Sequence, residues 1–340
     1  MRQPLPQKAR DLLAQRRDLA DVYNHIQEEL DRVEERLKVF SSSPNPLISE
    51  ISSYLFQKKG KRIRPALLIL CSKLLRYRGD EHVFTAALVE FIHTASLIHD
   101  DIIDNADRRR GRDSVHTRWG PNISVLLGDY LYIKTIGLSL ESAYPGVVRI
   151  LTDVSTRMID GELTEYTLSG HLDTAEQDYL EIINQKTASL FAAACQIGAI
   201  LGRATPKQER LLVDYGRNLG LTFQVIDDLL DFQGDEDALG KPILSDLSEG
   251  RITLPLIYTL RNDGSANRSR LRTLMKRKKL APESREEILA IIRANGALDY
   301  TYRKAEEFSL RAREIVSRFP ESAHREALSL LAEFVLSRST

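Results

Sequence analysis

The chain has 340 residues, 42% of them hydrophobic, and its 48 basic and 48 acidic side chains leave no net charge. That is apolar material for a large core, and the neutral balance argues against a general nucleic-acid binder, which carries a basic excess. No stretch approaches the ~20 apolar residues of a membrane span. Met1 to Arg17 is too polar for a secretory signal, and Pro4 and Pro6 interrupt the early helix an organellar targeting segment would need. Cys71 and Cys195 lie in apolar runs and read as two buried thiols of a cytoplasmic protein.

The pattern is helical nearly throughout. Leu19–Phe40 carries Val22, Ile26, Leu30, Val33 and Leu37 at three- and four-residue steps on a charged ribbon, and Ser41 to Pro46 ends it. A second helix is expected near Pro65, after the basic turn Gly60-Lys61-Arg62-Ile63-Arg64. Ala66–Leu75 and Val83–Asp104 continue as apolar helices, and a basic loop follows from Arg108 to Arg118. Leu126–Tyr144, Val147–Leu168, Gln177–Leu201 and Lys207–Phe232 have wide apolar faces, as central helices do. Residues 233–250 mix glycine, proline and acids and read as a loop that could cover a site. Another loop is expected at Asn262–Asn267, then amphipathic helix from Arg285 to Ser339 with breaks near Asn295-Gly296 and Pro320. No strand alternation and no domain linker stand out.

Two acidic rows share one spacing: Asp100-Asp101-Ile102-Ile103-Asp104 and Asp227-Asp228-Leu229-Leu230-Asp231. Each follows a mostly apolar stretch. On a helix, residues four apart share a face, so Asp100 pairs with Asp104 and Asp227 with Asp231, while Asp101 turns away by about 100°. One such row alone reads rather as a solvated helix end. Two of them facing each other would bind hard divalent cations, which commonly carry phosphate. Arg108-Arg109-Arg110-Gly111-Arg112 follows the first row, and arginine grips phosphate oxygens bidentately. Lys61 and Arg64 stand at a helix start, where backbone N–H groups also favour anions. Lys186 interrupts an apolar helix, as a snorkelling surface lysine would. His93, His99 and His116 each read first as ordinary structural histidines.

Together these segments resemble the trans-isoprenyl diphosphate synthases. The resemblance rests on Gly60-Lys61-Arg62-Ile63-Arg64-Pro65, on His93 to Gly111, and on Lys186-Thr187. It also rests on Phe223-Gln224 with the second row, and on Gly240-Lys241-Pro242 with Asp246. It covers roughly residues 50–260. It implies an all-α bundle of long helices around a central cavity, a single domain over 1–340 in which 1–45 is a helical extension, and usually a homodimer. It implies three magnesium ions between the rows, held by Asp100, Asp104 and Asp227, with Asp231 and Asp101 behind them. Arg109, Lys186, Thr187, Gln224 and Lys241 would hold an allylic diphosphate, with Lys186, Gln224 and Arg109 assisting catalysis. Lys61, Arg64, His93 and Arg110 would hold isopentenyl diphosphate, which moves His93 from core residue to ligand. Asp113 stands where the family often has proline, which leaves the stiffness of the arginine loop in question.

Product length follows from the path of the growing chain along the helix of the first row. Ala95 and Ser96 lie five and four residues before Asp100, slightly more than one turn away. In the family, bulky residues there act as a floor. Two small ones predict an open tunnel and a medium or long product, octaprenyl or close to it, with Tyr132 either the stop or an ordinary core tyrosine. Release of such a product would call for peripheral contact with a membrane. A geranylgeranyl or farnesyl synthase is the shorter alternative. A non-catalytic partner subunit, which tends to lose a row, and a terpene cyclase, which needs no isopentenyl site, both fit less well.

Overall fold

The computed structural model describes residues 19–57, 59–109, 111–233, 243–262, 264–275 and 281–338, and these are overwhelmingly helical. The first expected helix is broken once, into α1 (Leu19–Tyr23) and α2 (Gln27–Ser41). α3 (Pro46–Phe56) was not anticipated, although its start is written in the chain. Asn45 Oδ1 accepts from Leu47 N at 3.0 Å and Ile48 N at 3.4 Å, and Pro46 opens the first turn. α4 (Ile63–Leu74) and α5 (Glu81–Ile103) fall where apolar periodicity puts them.

The basic loop is more ordered than expected. Arg108–Arg109 (β1) pairs antiparallel with Arg112–Asp113 (β2), the only strands among the described residues. Gly111, with φ +76°, makes the reversal, a backbone conformation glycine adopts without strain. Arg112 donates to Tyr54 O at 3.2 Å and Gln57 Oε1 at 3.0 Å, and its guanidinium lies 3.9 Å over the Tyr54 ring. Tyr54 in turn donates to Asp113 O at 2.8 Å. The loop is therefore anchored to α3 without the missing proline.

α6 (Val115–Trp119), α7 (Pro121–Ser139) and α8 (Gly146–Leu168) follow, then α9 (Glu176–Ile183), a π-helical turn (Asn184–Ala188) and α10 (Ser189–Leu201). α11 (Pro206–Gln233) carries the second acidic row. Beyond it lie α12 (Ser245–Ser248), α13 (Leu254–Asn262), α14 (Ser265–Met275), α15 (Pro282–Ala294), α16 (Ala297–Ser317) and α17 (Ala323–Ser337). α13 was not anticipated, and α14 starts inside the loop expected at Asn262–Asn267.

Two apolar clusters share α11. Its first half places Tyr215 among Leu67, Leu88, Phe91 and Phe191, from α4, α5 and α10. Its second half places Val225 and Phe232 among Ile257, Ile292 and Tyr302, from α13, α15 and α16. Burying each such side chain is worth about 1.5–3 kcal/mol, so α11 is held along its length and the positions of its acids are fixed with it. Cys71 and Cys195 are both buried free thiols.

Candidate active site

The ends of α5 and α11 flank a cavity of about 1050 Å³. Asp100 and Asp104 line it from α5, and Asp227 and Asp228 from α11. Lys61, Arg64, His93, Arg109, Lys186, Thr187 and Gln224 line it as well. Arg110 and Lys241 lie outside the described residues, as does the 234–242 part of the loop expected to cover the site.

Asp101 turns away, as the helical period requires. It is buried and accepts from Arg109 Nε at 2.6 Å, so Arg109 is anchored from behind while it borders the cavity. Burial pushes the Asp100 carboxyl up to about 7, with Lys186 acting the other way. Asp104 takes a guanidinium instead: Arg251 Nη1 donates to it at 2.8 Å and Nη2 to Asp246 at 3.0 Å.

In the second row, Asp227 is 43% exposed and pairs with Arg338 at 2.7 Å. Arg338 comes from the end of α17 and lies 3.6 Å over the Phe223 ring. Asp228 is buried, and burial followed by the charge of Asp246 pushes it up to about 8. It accepts from Tyr179 Oη at 2.6 Å and Gln224 Nε2 at 2.8 Å, and Thr187 Oγ1 donates to Gln224 Oε1 at 2.8 Å. This chain of bonds fixes which way Thr187 and Gln224 face.

Asp231 departs from the expectation that it would face a metal beside Asp227. It is 1% exposed and does not line the cavity. Its carboxylate accepts from Ser245 N at 3.2 Å, Ser245 Oγ at 2.7 Å and Asp246 N at 3.2 Å. The helical period puts Asp231 on the side of Asp227, but one turn further on that side is covered by α12. Ala95 is corrected similarly. It is fully buried in the apolar core, and only its neighbour Ser96 borders the cavity. Tyr132 does line the cavity, stacked on His99 with centroids 5.9 Å apart, and His99 lines it too rather than sitting in the core.

Lys186 and Thr187 stand on the π-helical turn, a feature that recurs at functional sites. α8 closes on this turn through Gly161, where an added Cβ would meet Lys186 N at 2.7 Å. Lys186 Nζ pairs with Glu162 at 2.7 Å and Glu165 at 2.5 Å. Burial alone would lower its pKa, but Glu165, Glu162 and Asp100 outweigh burial and hold it above the ordinary lysine value. Glu162, Glu165, Arg251 and Arg338 escaped the sequence reading. Glu162 and Glu165, three apart on one face of α8, were the available signal for the first pair. Nothing local marks the two arginines.

The polyprenyl synthetase family model matches residues 45–292. The chain is 35% identical over 311 residues to the octaprenyl diphosphate synthase of Haemophilus influenzae, covering 92% of this chain and 94% of that one. It is 34% identical to the geranylgeranyl diphosphate synthase of Saccharolobus solfataricus, covering 94% and 98%. The fold superposes with TM-score 0.91 on a Caulobacter crescentus polyprenyl synthase complexed with calcium and isoprenyl diphosphate, at 33% identity and covering 95% and 98%. These matches run through both acidic rows and the basic residues between them, and the chain belongs to the polyprenyl synthetase family of prenyltransferases.

Proposed function

We propose that the chain lengthens an allylic diphosphate, farnesyl or geranylgeranyl, by successive head-to-tail addition of isopentenyl diphosphate, to an all-trans product of octaprenyl size. One observation carries this reading: acids from α5 and α11 border a single cavity together with two groups of cations and an apolar wall that includes Leu97, Met158, Ile159 and Leu163. The cavity's volume of about 1050 Å³ stands at the top of the range for small-ligand sites, about 300–1,000 Å³. It is room for two diphosphate substrates together, and the small Ser96 side chain on its wall is what supports a long product over a short one. Identity alone does not choose, since octaprenyl and geranylgeranyl relatives match almost equally.

The donor set suits magnesium. Asp100, Asp104 and Asp227 offer hard carboxylate oxygens, and Arg251 and Arg338 already stand at Asp104 and Asp227 as cations of the chain's own. Among the described residues no three acid, histidine or cysteine side chains close around one point, so each row would meet an ion with phosphate oxygens completing its shell. Three magnesium ions held this way would neutralise charge developing on the departing diphosphate.

Lys186, Thr187, Gln224 and Arg109, with Lys241, hold the allylic diphosphate in this reading, and Lys61, Arg64 and His93, with Arg110, hold isopentenyl diphosphate. The allylic C–O bond breaks and its electron pair leaves with the diphosphate. The isopentenyl double bond attacks the resulting cation, and a proton passes to the released diphosphate. No side chain acts as nucleophile. The chain's tasks are to align the two substrates and to keep out water that would quench the cation. Incubation with farnesyl diphosphate, isopentenyl diphosphate and magnesium, followed by chromatography of the dephosphorylated products, should give alcohols centred on eight isoprene units. Ser96→Phe should shorten them by at least two units. Wild-type products that stop at four units would instead support the geranylgeranyl reading.

The active unit in this reading is a homodimer. Leu126, Ile133 and Leu140 are spaced seven apart on and just beyond α7, and each is exposed, Ile133 by 74%. Ile159, Leu163 and Tyr166 extend the exposed apolar surface on the adjoining α8. Val125, Ile159 and Leu163 also border the cavity, so a second copy seated here would close its side. Ile133→Glu should convert a sedimenting dimer to monomer, and a wild-type monomer at micromolar concentration would overturn the assignment. No helix among the described residues is long and apolar enough to cross a membrane. A cytoplasmic enzyme touching a bilayer peripherally to release product accords with the two buried free thiols.

A further inference from the structure

The turn that carries Lys61 and Arg64 is held by side chains other than those assigned to either substrate. Arg62, between them, has φ 50° and is buried. A non-glycine residue in the left-handed region persists only where its surroundings over-determine it. Here they do. Arg62 Nε and Nη2 donate to the two oxygens of Glu34 at 2.5 and 3.0 Å, and Nη1 donates to Glu90 at 2.5 Å. Glu34 comes from α2 and Glu90 from α5. One residue earlier, Tyr23 Oη donates to the main-chain oxygen of Lys61 at 2.6 Å. Burial, then the charge of Glu90, holds the Tyr23 phenol above its ordinary range, so it stays a donor.

Arg62 and Glu90 border the cavity along with Lys61 and Arg64, and the ties on Arg62 fix how the turn presents its two neighbours. Arg64 is placed further by His93 Nε2 at 3.1 Å and by the Phe191 ring 4.5 Å from its guanidinium carbon. The buried cluster sets one cation against two carboxylates. Both carboxylates are tied to the residue that stands between Lys61 and Arg64.

We propose that Tyr23, Glu34 and Glu90, acting through Arg62, are positioning residues for the isopentenyl diphosphate half of the site. On this proposal α1 and α2, which precede the region matched by the family model, are a working part of the substrate site and not an appendage. It rests on the reading of Lys61, Arg64 and His93 as the isopentenyl diphosphate site.

The test uses Tyr23→Phe, which removes one hydrogen bond and little volume, and Glu34→Gln, which breaks the charge pairing. Isopentenyl diphosphate is titrated calorimetrically into the wild type and each variant, and steady-state constants are measured for both substrates. Each variant should raise the dissociation constant and KM for isopentenyl diphosphate about 3–10-fold, the scale of one or two lost hydrogen bonds. KM for the allylic diphosphate, and kcat at saturation, should stay within about twofold. Equal binding by the wild type and both variants, or a parallel rise in both KM values, overturns the brace and leaves the site reading intact. A wild type that does not take up isopentenyl diphosphate overturns both.

Discussion

Asp100→Asn and Asp227→Asn should each lower kcat by about 10³-fold or more. Asparagine keeps the shape but loses the charge that holds a hard cation. A cation's stabilisation of the leaving group is worth several kcal/mol, each 1.36 kcal/mol being tenfold in rate. Single-turnover formation of product from farnesyl and isopentenyl diphosphates with magnesium measures the loss. Asp231→Asn is the internal comparison. Its carboxylate caps the start of α12 instead of bordering the cavity, so its main effect should be on stability, with turnover falling no more than about tenfold. An Asp231→Asn protein of unchanged stability that lost activity as completely as Asp227→Asn would refute the distinction.

Arg62→Ala should be the most destabilising single change around the site. Arg62 is 7% exposed, and it separates Glu34 and Glu90, both also buried. Removing it leaves two buried carboxylates without a counterion, a loss of about 3–5 kcal/mol from a total of about 5–15 kcal/mol. Replacing the whole cluster with apolar residues, Arg62→Met with Glu34→Leu and Glu90→Leu, should recover most of it, because a filled apolar site need not desolvate charges. Urea denaturation midpoints decide the matter. A loss under about 1 kcal/mol in Arg62→Ala would mean that water reaches the cluster.

The acidic rows were legible because carboxylates at the end of apolar helices need a reason to be there, and the helical period alone separated Asp101 from Asp100 and Asp104. That period was not enough at Asp231, where the next layer of structure decides, and it divides Ala95 from Ser96, which the tunnel expectation had grouped together. Asp231 is covered by a segment beyond the loop, and one helical step of about 100° divides Ala95 in the core from Ser96 on the cavity. The pairs Arg251–Asp104 and Arg338–Asp227 join distant parts of the chain, and no local pattern marks such partners. The start of α3 was readable in Asn45-Pro46 but was overshadowed by the serines before it. The helical architecture was recoverable almost everywhere else, since long amphipathic runs leave little choice of element.

The π-helical turn at Asn184–Ala188 has a consequence for what substitution can do here. Its wider spacing turns the backbone through a smaller angle per residue, so the consecutive side chains Lys186 and Thr187 both border the cavity. Deleting one residue would restore an ordinary α-helix between α9 and α10 and improve its local hydrogen bonding. It would also rotate everything upstream relative to α10, whose seat against α11 is set by close contacts at Gly216 and Gly220. A change that made this helix regular would therefore move Lys186 and Thr187 off their shared place on the cavity wall, so local helix stability and the shape of the cavity pull in opposite directions at this turn.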